Sequence, residues 1–184
     1  MKKLILLASM TFATSAAVLA QNTSGNSNQT VQLSLSNALE ISFTSTNASQ
    51  GNTVTMAFNN ADDYANGVES TEQELKIRSN KNFKVGVKID YNSFSYTGPG
   101  NLNLATVPMN AFGLKVTDNS TGGNIAGSFN TTSYNELTGT DQNLIVNGDN
   151  GDNQKLAVKY KCTPGFGLPA GTYTFDVVYT ATQE

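Results

Sequence analysis

The chain has no histidine, no tryptophan and one cysteine among its 184 residues. The absence of histidine excludes Ser/His/Asp and Cys/His catalysis and the usual zinc chemistry. The absence of tryptophan removes the side chain most often used to stack on sugars. With Cys162 alone, the chain can form no intrachain disulfide, so stability must come from core burial and strand pairing. Charged residues make up only 14% of the chain. The acidic ones are scattered over turns and strand edges, and nothing in the sequence pairs two of them as a general acid and base. No catalytic activity is expected. A mildly acidic balance, 11 basic against 14 acidic residues, argues against nucleic acid and anionic membranes as partners, since both need clustered Lys/Arg.

What the chain does have begins with an export signal. Lys2 and Lys3 precede an apolar run from Leu4 to Leu19, broken only by Ser and Thr. Val18-Leu19-Ala20 puts small residues at the two positions a signal peptidase reads, so residues 1–20 read as a signal peptide. No cysteine follows the run, as a lipoprotein anchor would require, and no second apolar stretch reaches spanning length. The expected mature form has about 164 residues and a net charge of about −5, located in the periplasm, on the cell surface or outside the cell.

Residues 21–30 are Asn/Ser/Thr/Gly-rich and read as a flexible leader, with a single β-domain over 31–184. Val31, Leu33, Leu35, Leu39, Ile41 and Phe43 recur at period two, as one long strand or two with a bend near Asn37-Ala38. Val54, Met56 and Phe58 mark the next strand, and 59–72 reads as a polar loop. Leu75 and Ile77, then Phe83 to Ile89, alternate on either side of a turn at 79–82. Residues 91–104 read as a loop with one short strand at 94–96. Phe112 to Val116, 125–129, 144–146 and 155–162 follow, and 147–153 reads as a loop. Cys162 continues the apolar alternation of Leu156, Val158 and Tyr160, as a small core residue would. Tyr173, Phe175, Val177, Tyr179 and Ala181 then alternate along a final strand introduced by a Pro/Gly turn. No segment has convincing helical periodicity. Eight or nine short strands with Gly/Asn turns predict an all-β fold: an antiparallel two-sheet sandwich. If the final strand pairs with the 31–43 strand or its sheet, the sandwich completes itself and needs no strand from a neighbour.

The ending Pro169-Ala170-Gly171-Thr172-Tyr173-Thr174, followed by an alternating strand to Gln183, resembles the last strand of small secreted bacterial β-sandwiches. These include pilin-like and spore-coat-U-like subunits and WxL-type surface domains. Leu75-Lys76-Ile77-Arg78-Ser79-Asn80 and the stretch from Val107-Pro108 to Val116 are similar to middle strands of such modules. The resemblance implies an immunoglobulin-like sandwich in a structural or adhesive role, and self-association or binding to other surface proteins. The chain lacks a WxL motif. Its 21–30 segment lacks the alternating large apolar residues of a donor strand, which leaves 31–43 as the segment that could be exchanged.

Two ligand sites are conceivable. Residues 147–153, Asn-Gly-Asp-Asn-Gly-Asp-Asn, offer oxygen ligands at short spacing, so Asp149 and Asp152 are candidate calcium ligands, with Asp62-Asp63 as possible contributors. The loop lacks the closing Glu of an EF-hand, and Asn-Gly and Gly-Asp are also ordinary turn dipeptides. Tyr91 and Tyr96 are candidate glycan-stacking residues, with Tyr64, Phe94 and Tyr134 as the other aromatics in or near predicted loops. No further cofactor is called for. The expected function is an exported structural or adhesive subunit, the alternative a carbohydrate-binding module using loop aromatics.

Overall fold

A computed structural model of the chain describes residues 27–44, 53–100, 102 and 109–184. The proposed signal peptide and most of the proposed leader lie outside the described residues. The chain divides into two units, Met1–Leu35 and Ser36–Glu184. In the first, residues 27–35 belong to no helix or strand and are exposed. The second holds all the regular structure.

That structure is a β-sandwich of two antiparallel sheets. The first contains β1 (Leu39–Phe43), β2 (Val68–Glu69), β3 (Gln73–Ser79), β5 (Phe112–Ser120), β7 (Asn135–Glu136) and β9 (Gly151–Cys162), in the order β1-β3-β9-β5-β7 with β2 also on β9. The second contains β4 (Phe83–Thr97), β6 (Asn124–Ile125), β8 (Gln142–Gly148) and β10 (Thr172–Gln183), in the order β10-β4-β8-β6. The period-two residues of β3, β4, β5 and β9 point between the sheets, because successive side chains of a strand alternate faces. Leu75, Ile77, Phe83, Val85, Val87, Ile89, Leu114, Val116, Leu156 and Val158 are all buried there. On β8, register with β4 steps from Val85↔Ile145 to Gly86↔Asn143, leaving Leu144 as the extra residue of a bulge. Leu144 and Ile145 are thus both buried, although adjacent in sequence.

Several connections carry the chain from one sheet to the other. β3 turns into β4 over residues 80–82, and β8 turns into β9 over 149–150. The second corner needs a left-handed residue, Asn147 at φ 54°, a conformation that Asn tolerates. Gly148 follows, and a Cβ there would collide with the ring of Phe83.

Several segments depart from expectation. Only 39–43 of the 31–43 pattern forms a strand, because β3 offers it just five partners, Leu75 to Ser79. Residues 53–58 alternate in burial but form no strand. The 59–72 loop contains a helix, α1 (Ala61–Asn66), started by a capping box. Asn60 accepts from the Asp63 N–H at 3.0 Å, while the Asp63 carboxylate accepts from the Asn60 N–H at 3.2 Å. Residues 91–97 are not loop but the end of a 15-residue β4.

The final strand pairs with β4 along Thr172↔Thr97 to Gln183↔Phe83. It therefore does not pair with β1 or any strand of its sheet, and the condition for a self-completing sandwich is not met. β10 ends its sheet, and among the described residues no strand pairs with its other side.

Candidate functional site

Three features of the surface stand out from the packed frame: an open seam, an aromatic end and a polar cleft.

The seam lies between the edge strands of the two sheets. A slot of about 100 Å³ is lined by Ile41, Phe43, Leu75, Val177 and Tyr179. The inward residues of β10, namely Phe175, Val177 and Tyr179, are only partly buried, unlike those of β4. The sheets are tied there by Tyr160 and Tyr179, whose hydroxyls lie 2.6 Å apart. Burial pushes the Tyr160 phenol up to about 12, and the bond to Tyr179 acts against that rise. Burial is also the main reason the Tyr179 phenol stands well above its ordinary value. Upstream of the seam strands in sequence, Val31, Leu33 and Leu35 are 74%, 81% and 89% exposed. Large apolar side chains at alternate positions, all in water, are unusual in a soluble domain.

The aromatic end gathers side chains from three segments. Tyr64 of α1 packs on Phe58, with ring centroids 5.5 Å apart, and stacks on Phe166 at 5.9 Å with 21° between the planes. Tyr96 of β4 packs on Tyr173 of β10 at 4.9 Å. The Tyr96 hydroxyl donates to the carbonyls of Pro99 and Ala170, and the Tyr173 hydroxyl to that of Pro169. A Cβ on Gly98 or Gly171 would strike the Tyr96 ring. Burial first, then the Tyr96 and Tyr64 phenols, raise the Tyr173 pKa.

The structure separates the two candidate glycan residues. Tyr96 belongs to the aromatic end, whereas Tyr91 packs where a Cβ on Gly139 would strike its ring. A bulge lies between them. Ser95 pairs with Thr174 and Asp90 with Asp176, so residues 91–94 of β4 face Phe175 alone. The bulge is held by Ser93, whose hydroxyl donates to Asp90 O at 2.7 Å and accepts from Asp176 N at 2.7 Å. Phe166 and Tyr173 were not among the candidates. An aromatic residue between Gly165 and Gly167 has no periodicity to mark it, and Tyr173 reads as an ordinary inward strand residue.

The polar cleft, of about 450 Å³, lies on the outer face of the larger sheet. Gly113 forms its floor, with Lys161 of β9 on one side and Glu136 of β7 on the other. Tyr134 lines it, but the Lys115 ammonium sits over the Tyr134 ring at 4.6 Å, which closes that face to stacking. Burial, then the Glu69 carboxylate, hold the Tyr134 phenol far above its ordinary value.

Asp149 sits in the β8–β9 corner, where its N–H donates to Thr121 O at 2.8 Å and its carboxylate lies against Gly122. Asp152 is an exposed residue of β9. Asp63 is engaged in the helix cap. Among the described residues, no three or more Asp, Glu, Cys or His side chains gather as metal ligands would. Cys162 is half-buried against the core, and burial pushes its thiol up to about 11. Among the described residues, no helix is long and apolar enough to cross a membrane. No protein-family model and no curated protein matches the chain.

Proposed function

We propose that the chain is an exported, non-catalytic structural or adhesive subunit that associates with further copies of itself by strand addition. The exposed alternation of Val31, Leu33 and Leu35 carries this reading. Three large apolar side chains at alternate positions match what a strand needs to bind the edge of a partially open sandwich. There, backbone hydrogen bonds supply affinity and alternate side chains enter pockets. The acceptor side is β10, a 12-residue edge strand beside a slot lined by apolar side chains. A long unprotected edge is a pairing template that soluble monomers usually blunt. The copy offering residues 31–35 would thus supply the strand that the open edge of β10 lacks.

The export signal and the resemblance to secreted surface sandwiches support the structural role. Light scattering behind a sizing column tests it. The mature chain should grow in mass with concentration, and Leu33→Lys should return it to a monomer with unchanged circular dichroism. A peptide of residues 28–36 should compete. A chain that stays monomeric at millimolar concentration would refute the assembly.

A further inference from the structure

Among the described residues of the Ser36–Glu184 unit, the one large apolar residue strongly exposed is Phe166, at 72%. Five other described large apolar residues are exposed. Val31, Leu33 and Leu35 belong to the preceding segment, while Leu39 and Tyr91 reach only 37% and 38%. Phe166 is also not a stray side chain. It lies nearly parallel to Tyr64, which packs in turn on Phe58. Gly165 and Gly167 on either side have open space where a Cβ would stand. The neighbouring Tyr96 and Tyr173 rings are pinned by hydroxyl bonds to three backbone carbonyls.

We infer that this aromatic end binds a neutral glycan, with a pyranose ring laid on the open face of Phe166 beside Tyr64. The chemistry of the patch selects the ligand. A gluco-configured pyranose has equatorial hydroxyls and presents flat C–H faces, which are drawn to the negative face of an aromatic ring. The Tyr64 hydroxyl has no hydrogen-bond partner among the described residues and stands at the edge of the stack for a sugar hydroxyl. Residues 53–67, 96–100 and 163–173 contain no Lys or Arg. Lys161 lines the cleft beside Pro164 and Gly165, but α1, which bears Tyr64, also carries Asp62 and Asp63, so the patch has no excess of positive charge and the inference is for a neutral chain. The site differs from the strand-addition face and does not depend on it.

Native gels cast with soluble β-glucan or hydroxyethylcellulose test the inference. The mature chain should be retarded, with a dissociation constant read from the polysaccharide series. Phe166→Ala should weaken it by about tenfold or more, equivalent to about 1.4 kcal/mol. Because Phe166 is mostly in water, that variant should keep its melting temperature. Tyr91→Ala should bind as wild type, and so should Leu33→Lys, which separates this site from self-association. The inference is overturned if the wild type runs unretarded in both gels, or if Phe166→Ala is retarded equally. It is also overturned if Phe166→Ala loses self-association instead, since the patch would then be a contact between copies.

Discussion

At the residue scale the Tyr160–Tyr179 pair has the largest predicted effects. It joins β9 to β10 across the sandwich. Removing one hydroxyl leaves the other buried without its partner, at a cost of about 1–3 kcal/mol. Tyr179→Phe should therefore lower the urea midpoint, and the Tyr160→Phe/Tyr179→Phe double variant should recover part of the loss. The pair also sets an alkaline limit. Below pH 10.0 both phenols are protonated whether the chain is folded or not. Above it, the unfolded chain loses protons that the folded chain still holds, up to about 12 for Tyr160. The unfolded state then binds fewer protons, so stability falls as pH rises. Urea titrations from pH 8 upward should show a decline beginning near 10, shallower in Tyr179→Phe. Cys162 offers a second check, because its thiol is raised from 9.0 to about 11. That shift cuts the thiolate about a hundredfold, so alkylation at neutral pH should be slow until the chain is unfolded.

At the element scale, alternation identified the strands well where one face turns toward the core. β3, the first half of β4, β5 and β10 follow the predicted residues because one face of each is buried. The misreadings have local causes. The second half of β4 is rich in Tyr, Ser and Asn, which look like loop residues, yet pairing with β10 holds it extended through a bulge anchored by Ser93. β9 begins at Gly151, inside what reads as a turn sequence, because only two residues are needed to cross between the sheets. Helix α1 is too short to have a period, and its signature was the cap rather than the pattern. Asn60→Ala should cost about 0.5–2 kcal/mol by removing that cap, measured as a drop in the thermal midpoint. At the β8–β9 corner, Gly148→Val should be far more damaging, since the new side chain would displace the fully buried Phe83. A large fall in soluble yield or midpoint is expected, and an unchanged midpoint would show that the corner can relax.

At the scale of the whole molecule, the domain is held by one apolar layer between two sheets and by no covalent link. Leu114, Leu144, Ile145 and Leu156 are fully buried. Truncating any one to Ala should cost about 2–5 kcal/mol, a large share of the stability of a domain this size. Its three ion pairs among the described residues, Glu40–Arg78, Asp141–Lys88 and Glu74–Lys155, are solvent-accessible. Such pairs contribute about 0–1 kcal/mol each, so added salt should change the melting temperature little. A reducing agent should leave it unchanged, because a lone cysteine closes no loop.

The candidate sites show where local reading ends. Tyr96 was legible as a surface aromatic, but its company was not. Phe58, Tyr64, Phe166 and Tyr173 come from segments up to 115 residues apart in the chain, and only the packing of the loop ends brings them together. Composition and period two determined the all-β class, because strand faces alternate wherever one side is buried. The single cysteine by itself excluded an intrachain disulfide. Pairing order was decided only in three dimensions, since an alternating strand carries no label for its partner. That is why β10 and β1 stand at the edges of different sheets. It is also why the apolar residues at 31, 33 and 35, regular in sequence, are left in water.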